Sequence, residues 1–402
     1  MKQETVIVGL DVGTTKICAV VAEKLKNGLT IQGISTVPSA GLRKGVVINS
    51  EVTVDSIKKA VKSAGSLTGI EIHAVYVGIS GGHIKGFNSC GVVSVRGKEV
   101  MPIDVDRVID SAKAVYVPLD REVLQVIPTG YSLDGRNGIK DPVGMTGNRL
   151  EAKVYIVTGA VTSVQNLLQS CEKAGLDVID IVFEPLAAAQ AILTDEEKEK
   201  GVAIVDIGGG TTDIVLYKNG WIRHSSVFAI GGNHFTNDIA VCMNLSVQEA
   251  ERIKKAFGTV SAAIIDDSEE IEIFQEGQQR KIMRRYLSEI IKPRAEELLH
   301  LIKSELLSCS GYEIASQGVV LTGGGSLLEG LIELTESTLC LPVRIGVARA
   351  FKECRDIISH PMYSTGAGLV LHGLKTETEE YYPDAYTGVF SKMKSLVQEI
   401  FR

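Results

Sequence analysis

TVIVGLDVGTTKICAVV at residues 5–21 and GVAIVDIGGGTTDIVLY at 201–217 are two copies of one pattern. Each is a β-rich run, an aspartate, a glycine/threonine turn and a second β-rich run, and self-similarity of this kind is the first thing to read in a chain. Val6, Val8 and Leu10, then Ile17 and Ala19, alternate at strand period in the first copy. Ala203, Val205, Ile207, Ile214 and Leu216 do so in the second. Each copy therefore reads as a hairpin with a small polar tip. Repeated in the two halves of the chain, such hairpins predict two related α/β lobes facing each other across a cleft.

The tips say what the cleft holds. Gly13, Gly208, Gly209 and Gly210 let backbone N–H groups approach a phosphate, and Thr14, Thr15, Thr211 and Thr212 add hydroxyl donors. Asp11 and Asp206 head the two tips, where hard oxygen ligands hold Mg²⁺ through its retained waters. One copy alone is compatible with a plain turn; two copies with the same grammar favour a nucleotide site. A third glycine cluster, VVLTGGGSLLEG at 319–330, follows a β-rich run and precedes an apolar helical pattern. A helix opening at Ser326 would present free N–H groups there, although a flexible turn reads equally well. In EAERIKKAFG at 249–258, Glu251 and Lys254 lie one helical turn apart, which by itself is a solvated ion pair.

The 402 residues are 45% hydrophobic and 23% charged, a soluble globular balance with room for two or three domains. With 42 basic and 49 acidic side chains the net charge is −7, so no global positive field exists to hold nucleic acid, and none is expected as a partner. MKQETVIVGLDVG runs straight into a strand pattern without signal-peptide regions, and charged or glycine residues interrupt every apolar stretch. A cytoplasmic protein without a membrane span is expected. The 7 cysteines are scattered without CxxC or Cys/His spacing, which predicts reduced, mostly buried thiols.

With these elements in order, the chain resembles the actin-like ATPase superfamily. DVGTTK at 11–16 and DIGGGTTD at 206–213 look like its two phosphate motifs, FEPLAAA at 183–189 and STGAGLVL at 364–371 its connecting helices, and LTGGGSLLEG its adenosine motif. Within it, AGLRKGVVIN at 40–49, SGGHIKGFNS at 80–89, IGGNHFTNDIA at 230–240 and IIKPRAEEL at 290–298 resemble the FtsA family of bacterial cell-division proteins. The resemblance implies an α/β, actin-like fold of ribonuclease H-like duplicated lobes, with an inserted α+β subdomain in place of actin's second small subdomain. It implies the boundaries 1–82, 163–198 and 343–374 for subdomain 1A, 83–162 for the insertion 1C, 199–245 and 303–342 for 2A, and 246–302 for a mostly helical 2B.

The same resemblance assigns roles. Asp11 and Asp206 face Mg²⁺; Gly13, Thr14, Thr15, Gly208, Gly209 and Thr211 bind the phosphates of ATP, with Lys16 a further contact. Gly210, Thr212 and Gly232 belong to the same site. Gly323, Gly324, Gly325 and Ser326 line the adenosine side, and Glu251 and Lys254 the ribose or adenine. Glu184 stands where relatives orient the attacking water, with Pro185 fixing the first helical turn; a helix N-terminal carboxylate favoured by the dipole is the competing reading. Binding of ATP is the firmer expectation, hydrolysis the weaker.

After 375 the chain changes character. KTETEEYYPDAYTG at 375–388 reads as an exposed linker. GVFSKMKSLVQEIFR then places Phe390, Met393, Leu396, Val397, Ile400 and Phe401 on one helical face beside lysines, an amphipathic helix for an anionic membrane surface. The run QRKIMRRYLSEIIKPRAEELLHLI at 279–302 reads as a basic helix ending at Pro293 and then an amphipathic one, with Leu298, Leu299 and Ile302 facing inward. Its cations, Arg285 and Arg294 among them, would attract an acidic peptide. The resemblance identifies that peptide as the C-terminus of the tubulin-like FtsZ. The expected function is thus an ATP-binding protein that polymerises with itself on the cytoplasmic face of the membrane at the septum, tethers the FtsZ ring and recruits later division proteins. The rivals are an actin-like adaptor of a pilus or secretion assembly and a sugar or metabolite kinase of the same superfold.

Overall fold

In the computed structural model, which describes residues 5–25, 28–275, 277–349, 351 and 358–379, the repeat becomes two sheets of the same design. Thr5–Val12 pairs antiparallel with Lys16–Leu25, which pairs antiparallel with Gly28–Pro38; on the other side Ala74–Ile79 and then Asp177–Phe183 run parallel to it. Val202–Ile207, Thr212–Lys218 and Trp221–Phe228 form the same antiparallel meander, extended by the parallel strands Val319–Thr322 and Val343–Ile345. The expected hairpins are both present.

The parallel strands need crossovers, and helices supply them. Ser50–Thr68 is opened by Asn49, whose side chain accepts from the Val52 amide, and is stopped by Gly69 at φ +72°. Glu184–Ile192 and the helix Ser364–Glu379 cross at small residues: a Cβ on Gly368 would stand 1.8 Å from the Ala187 carbonyl oxygen. Each lobe builds its own core. Leu10, Ile17 and Val20 are fully buried in the first, and Val205, Ile214 and Leu321 in the second.

Between Ala74–Ile79 and Asp177–Phe183 the chain makes a separate α+β unit. Its antiparallel sheet orders Lys85–Ser94, Arg149–Ala160, Arg121–Leu133 and Arg136–Ile139. Helix Pro102–Lys113 lies across it, close enough that a Cβ on Gly91 would meet the Val108 carbonyl oxygen at 2.2 Å. Val105, Val108 and Ile109 of the helix share a core with Leu133 and Leu150.

Over the second lobe the chain is less helical than its composition predicts. Glu270–Gln275 and Gln278–Met283 form a hairpin, so residues 279–283 are strand, and Ile271 and Ile273 are the buried positions of its alternation. The helix that follows, Arg284–Ser308, runs through Pro293 without ending there. Proline forfeits one backbone hydrogen bond, but Leu287, Ile291, Ala295, Leu298, Leu299 and Ile302 are all fully buried, and that packing outweighs the local preference.

Three further expectations change. The helix Ser364–Glu379 includes residues 375–379, so the linker does not begin at 375. No helix opens at Ser326: Gly324–Leu327 is a 3₁₀ turn, and the helix starts at Leu331. Of the described cysteines, all free, Cys18 and Cys171 are buried but Cys90, Cys242 and Cys340 are exposed. The amphipathic segment with Phe390, Met393, Leu396, Val397, Ile400 and Phe401 lies outside the described residues. Among the described residues, no helix is long and apolar enough to cross a membrane.

Candidate functional site: the interlobe cleft

The two tips meet. A Cβ on Gly209 would stand 2.4 Å from the Thr15 side chain, and one on Gly210 would stand 2.5 Å from the Thr14 hydroxyl. Only glycine lets the second tip close on the first. The tips are held from behind, since the Gly45 amide donates to Thr14 Oγ1 at 3.0 Å and the Gly232 and Asn233 amides donate to the Gly208 and Gly209 carbonyls at 2.8 Å.

Below them opens a cleft of about 1070 Å³. Asp11, Gly13, Thr14, Thr15, Lys16, Asp206, Gly208, Gly209, Gly210, Thr211, Gly232, Glu184, Glu251, Lys254, Gly323, Gly324 and Gly325 all line it. Two expected members do not. The Thr212 hydroxyl is fully buried and donates to the Ile230 carbonyl at 2.8 Å, because strand alternation turns it away from the face that Thr211 occupies. Ser326 is buried and bonds back to the Gly323 carbonyl at 2.7 Å. The glycine loop at 323–325 packs on the end of strand Val202–Ile207: Gly323 has φ +82°, and a Cβ there would lie 2.2 Å from Asp206 Oδ1.

The floor is acidic. Asp206 and Asp213 are directly paired across their hairpin, a like-charge pairing that a sheet ordinarily avoids. Asp213 accepts from Ser80 Oγ at 2.7 Å, a bond that joins the two lobes, and Thr365 donates to Asp206 at 3.5 Å. Burial, reinforced by Asp11, pushes Asp206 up to about 6; burial, reinforced by Asp206, pushes Asp213 up to about 8. Glu184 is raised well above the usual range by burial and by Asp11, Asp213 and Asp206. Lys16 answers this charge by contacting Asp11. Burial opposes its ammonium, but Asp11, Cys18 and Glu184 hold its pKa above the ordinary lysine range.

On the opposite wall Glu251 and Lys254 are paired at 2.6 Å, so the ion-pair reading and the cleft reading hold together. Lys254 also donates to the Gly232 carbonyl at 3.0 Å and Thr236 Oγ1 at 2.9 Å. Asp213, Ser80 and Arg284 are among the cleft residues that were not anticipated there. Asp213 was readable, because a hairpin closing Ile207 on Thr212 puts residue 213 opposite 206. Arg284, which donates to the Phe257 carbonyl at 2.9 Å and to Glu269 at 3.1 Å, is brought in by the fold alone.

The basic run is largely neutralised. Arg294 grips Asp238 with two bonds of 2.7 and 3.0 Å and also contacts Glu297; Arg285 pairs with Asp267 at 2.6 Å, and Lys281 with Glu270 at 3.4 Å. The free positive field expected from the 279–302 run is therefore largely offset by carboxylates, some on the same helix and some from other elements.

The raised acids make the ligand-free protein sensitive to pH. The folded state keeps the Asp213 proton up to about 8, whereas an unfolded aspartate releases it near its ordinary 3.8. Stability in the absence of divalent cations should therefore fall as pH rises through that window, Asp206 contributing its lower part up to about 6. Asp213→Asn should flatten the decline in melting temperature between about pH 6 and 8.5. An unchanged slope would mean that another group carries it.

Duplicated five-stranded lobes closing small tips over buried acids are the architecture of an actin-like nucleotide-cleft protein. Among solved structures the chain is similar to the PilM–PilN type IV pilus biogenesis complex (TM-score 0.67, 18% identity, covering 92% of this chain and 98% of that one). It is also similar to MreB5 of Spiroplasma citri bound to ADP (TM-score 0.58, 16% identity, 94% and 98%). At these identities the likeness speaks for the fold alone. The family model described as Cell division protein FtsA matches residues 203–368, that of the SHS2 domain inserted in FtsA matches 81–158, and that of the type IV pilus assembly protein PilM matches 142–261. Cell division protein FtsA of Pseudomonas aeruginosa is 45% identical over 377 residues, 93% of this chain and 90% of the relative. That of Escherichia coli K12 is 37% identical over 378 residues, 91% and 90%. The chain belongs to the FtsA family of cell division proteins, and its place is in the division machinery rather than a pilus assembly.

Proposed function

We propose that the protein binds ATP with Mg²⁺ in the interlobe cleft, associates with itself and with the cytoplasmic membrane surface at the division site, and tethers FtsZ there. The observation that carries the nucleotide reading is the meeting of two glycine/threonine tips above four carboxyl groups. Backbone amides at the tips donate to phosphate oxygens, and Lys16 adds a cation beside Asp11. The donor chemistry suits Mg²⁺ held through its waters by Asp11 and Asp206, whose repulsion a cation would relieve; among the described residues no group of three acids, histidines or cysteines would ligate it directly. Mg²⁺ held by Asp11 and Asp206 would supply positive charge that offsets the negative charge of the phosphates. Glu184, on the cleft floor at the first turn of its helix, orients a water toward the terminal phosphate. Gly323, Gly324 and Gly325 give the base a wall without side chains, and Glu251 and Lys254 meet the ribose.

Membrane attachment is assigned to residues 389–402. A single short helix binds marginally, because burying an apolar side chain gains about 1.5–3 kcal/mol while ordering costs about 1–2 kcal/mol per residue. Self-association makes later contacts intramolecular and multiplies avidity by roughly 10² to 10⁴. Sedimentation with anionic liposomes tests this. Removal of 389–402, or Phe390→Glu or Leu396→Glu, should abolish co-sedimentation with ATP binding intact, since each charge enters the apolar face. Persistent co-sedimentation would place attachment elsewhere. For FtsZ, the internal pairing of Arg294 and Arg285 means that an acidic C-terminal peptide exchanges with Asp238, Glu297 or Asp267 instead of meeting free cations. Titration of that peptide against Arg294→Glu should show about a tenfold weaker affinity, and equal affinity would move the partner site.

A further inference from the structure

Beneath Glu184, on the side away from the cleft, lies a second and much smaller cavity of about 10 Å³. Val12, Gly45, Ser80 and Glu184 line both spaces and so form the wall between them. His83 and Ser163 line the small cavity and not the cleft. His83 belongs to the segment that leaves the first lobe for the inserted unit, and Gly81, at φ +145° and with its missing Cβ 2.7 Å from His83 Nδ1, lets the ring fold back against the lobe. The turn is clasped by Arg121, which donates to the His83 carbonyl at 2.9 Å and to the Thr158 carbonyl at 2.9 Å, tying the outgoing and returning strands together.

Both ring nitrogens of His83 are buried and neither has a hydrogen-bond partner on the protein. An unpartnered buried polar atom carries a desolvation cost that nothing repays, so two on one ring call for a partner. A volume of about 10 Å³ is the space of a single water, and a water is retained where at least two polar groups converge on it. Here a carboxyl, an imidazole and two hydroxyl-bearing side chains line the wall. The imidazole is neutral, held down to about 4 by burial and by Arg121, so it offers one donor and one acceptor. Glu184 is itself confined, because a Cβ on Gly78 would lie 2.9 Å from its Cγ.

We propose that this cavity binds one structural water bridging the His83 ring and the Glu184 carboxyl, which makes His83 a positioning residue for Glu184 and couples the root of the inserted unit to the cleft floor. The water site rests on the cavity and the unpartnered ring alone. The positioning role rests in addition on the reading of Glu184 as the water-orienting residue. Through this bridge a displacement of the inserted unit at its Arg121 clasp reaches the carboxyl that faces the nucleotide.

A crystal structure of the full chain at a resolution that orders solvent is expected to show a water within hydrogen-bonding distance of one His83 ring nitrogen and a Glu184 oxygen. A ring turned to a protein partner, or a dry cavity, overturns the proposal. Imidazole nitrogen NMR of the same protein should report a single neutral tautomer for His83 that is lost from the spectrum only in His83 variants; a mixture of tautomers counts against a fixed bridge. For the positioning role, His83→Phe keeps the ring and removes both nitrogens, while His83→Gln restores a polar end. ATP turnover in His83→Phe should fall about fivefold with nucleotide affinity and melting temperature near wild type, recover in part in His83→Gln, and fall no further when Glu184→Gln is already present. Turnover unchanged in His83→Phe with the water in place removes the positioning role. Turnover unchanged in Glu184→Gln removes instead the reading of Glu184, and leaves the water site to the structure.

Discussion

Gly209→Val should lower ATP affinity by about a hundredfold, roughly 2.8 kcal/mol at 1.4 kcal/mol per decade. A Cβ at 209 would fall 2.4 Å from Thr15 Cγ2 and 2.5 Å from its Oγ1, distances at which one tip must withdraw from the other. Withdrawal strains the bonds from the Gly232 and Asn233 amides to the Gly208 and Gly209 carbonyls, so the loop that presents N–H groups to phosphate changes shape as a whole. Asp206→Ala, which removes a carboxylate without a clash, should weaken binding only in the presence of Mg²⁺. Calorimetric titration with and without Mg²⁺ separates the two effects. Wild-type affinity in both variants would detach the tips from the nucleotide.

The largest effect on stability is expected from Gly368→Val, about 3 kcal/mol or more, read as a lowered melting temperature. The clash is with backbone: the Cβ would lie 1.8 Å from the Ala187 oxygen, and no rotamer relieves it. The helices Ser364–Glu379 and Glu184–Ile192 would have to separate, taking with them the lobe core that contains Ala187, Ala188 and Leu369. Gly82→Ala is the matched control, since its nearest neighbour would be Ala229 Cβ at 3.9 Å. Equal melting temperatures for Gly368→Val and wild type would show that the two helices pack more loosely than their geometry implies.

Much of the site was legible because its chemistry is local. A hairpin tip is specified within a dozen residues, so DVGTT and DIGGGTT announced their shape locally, and their repetition pointed to a nucleotide and announced the doubled fold. The same period-2 alternation that identified the strands also implied that Thr212 turns inward while Thr211 and Asp213 face the cleft. Asp213 was therefore within reach of pattern reading, had the pairing of Asp206 with Asp213 been followed across the hairpin.

Local preference misled where burial decided. Pro293 marks a helix end in isolation, yet the helix continues because the apolar residues on either side are fully buried against the lobe. Residues 279–283 carry good helix formers but become a strand because Glu270–Gln275 offers a partner edge. The basic run looked like a free field because sequence shows the cations together and their carboxylates apart. Asp238, Asp267, Glu269 and Glu329 come from other elements and reach Arg294, Arg285 and Arg284 only in the folded chain.

By itself the sequence determined the duplicated α/β lobes, the glycine/threonine tips and the acid at the head of each, because all of these follow from periodicity and turn chemistry over short spans. Only the tertiary structure decided that the tips touch, that Asp213 joins Asp11, Asp206 and Glu184 in one acidic floor, and that His83 backs onto Glu184 across a cavity of one water's volume. Those relations join residues far apart in the chain, and their energies, like-charge repulsion and the cost of unpartnered polar atoms, arise only once burial has removed bulk water from around them.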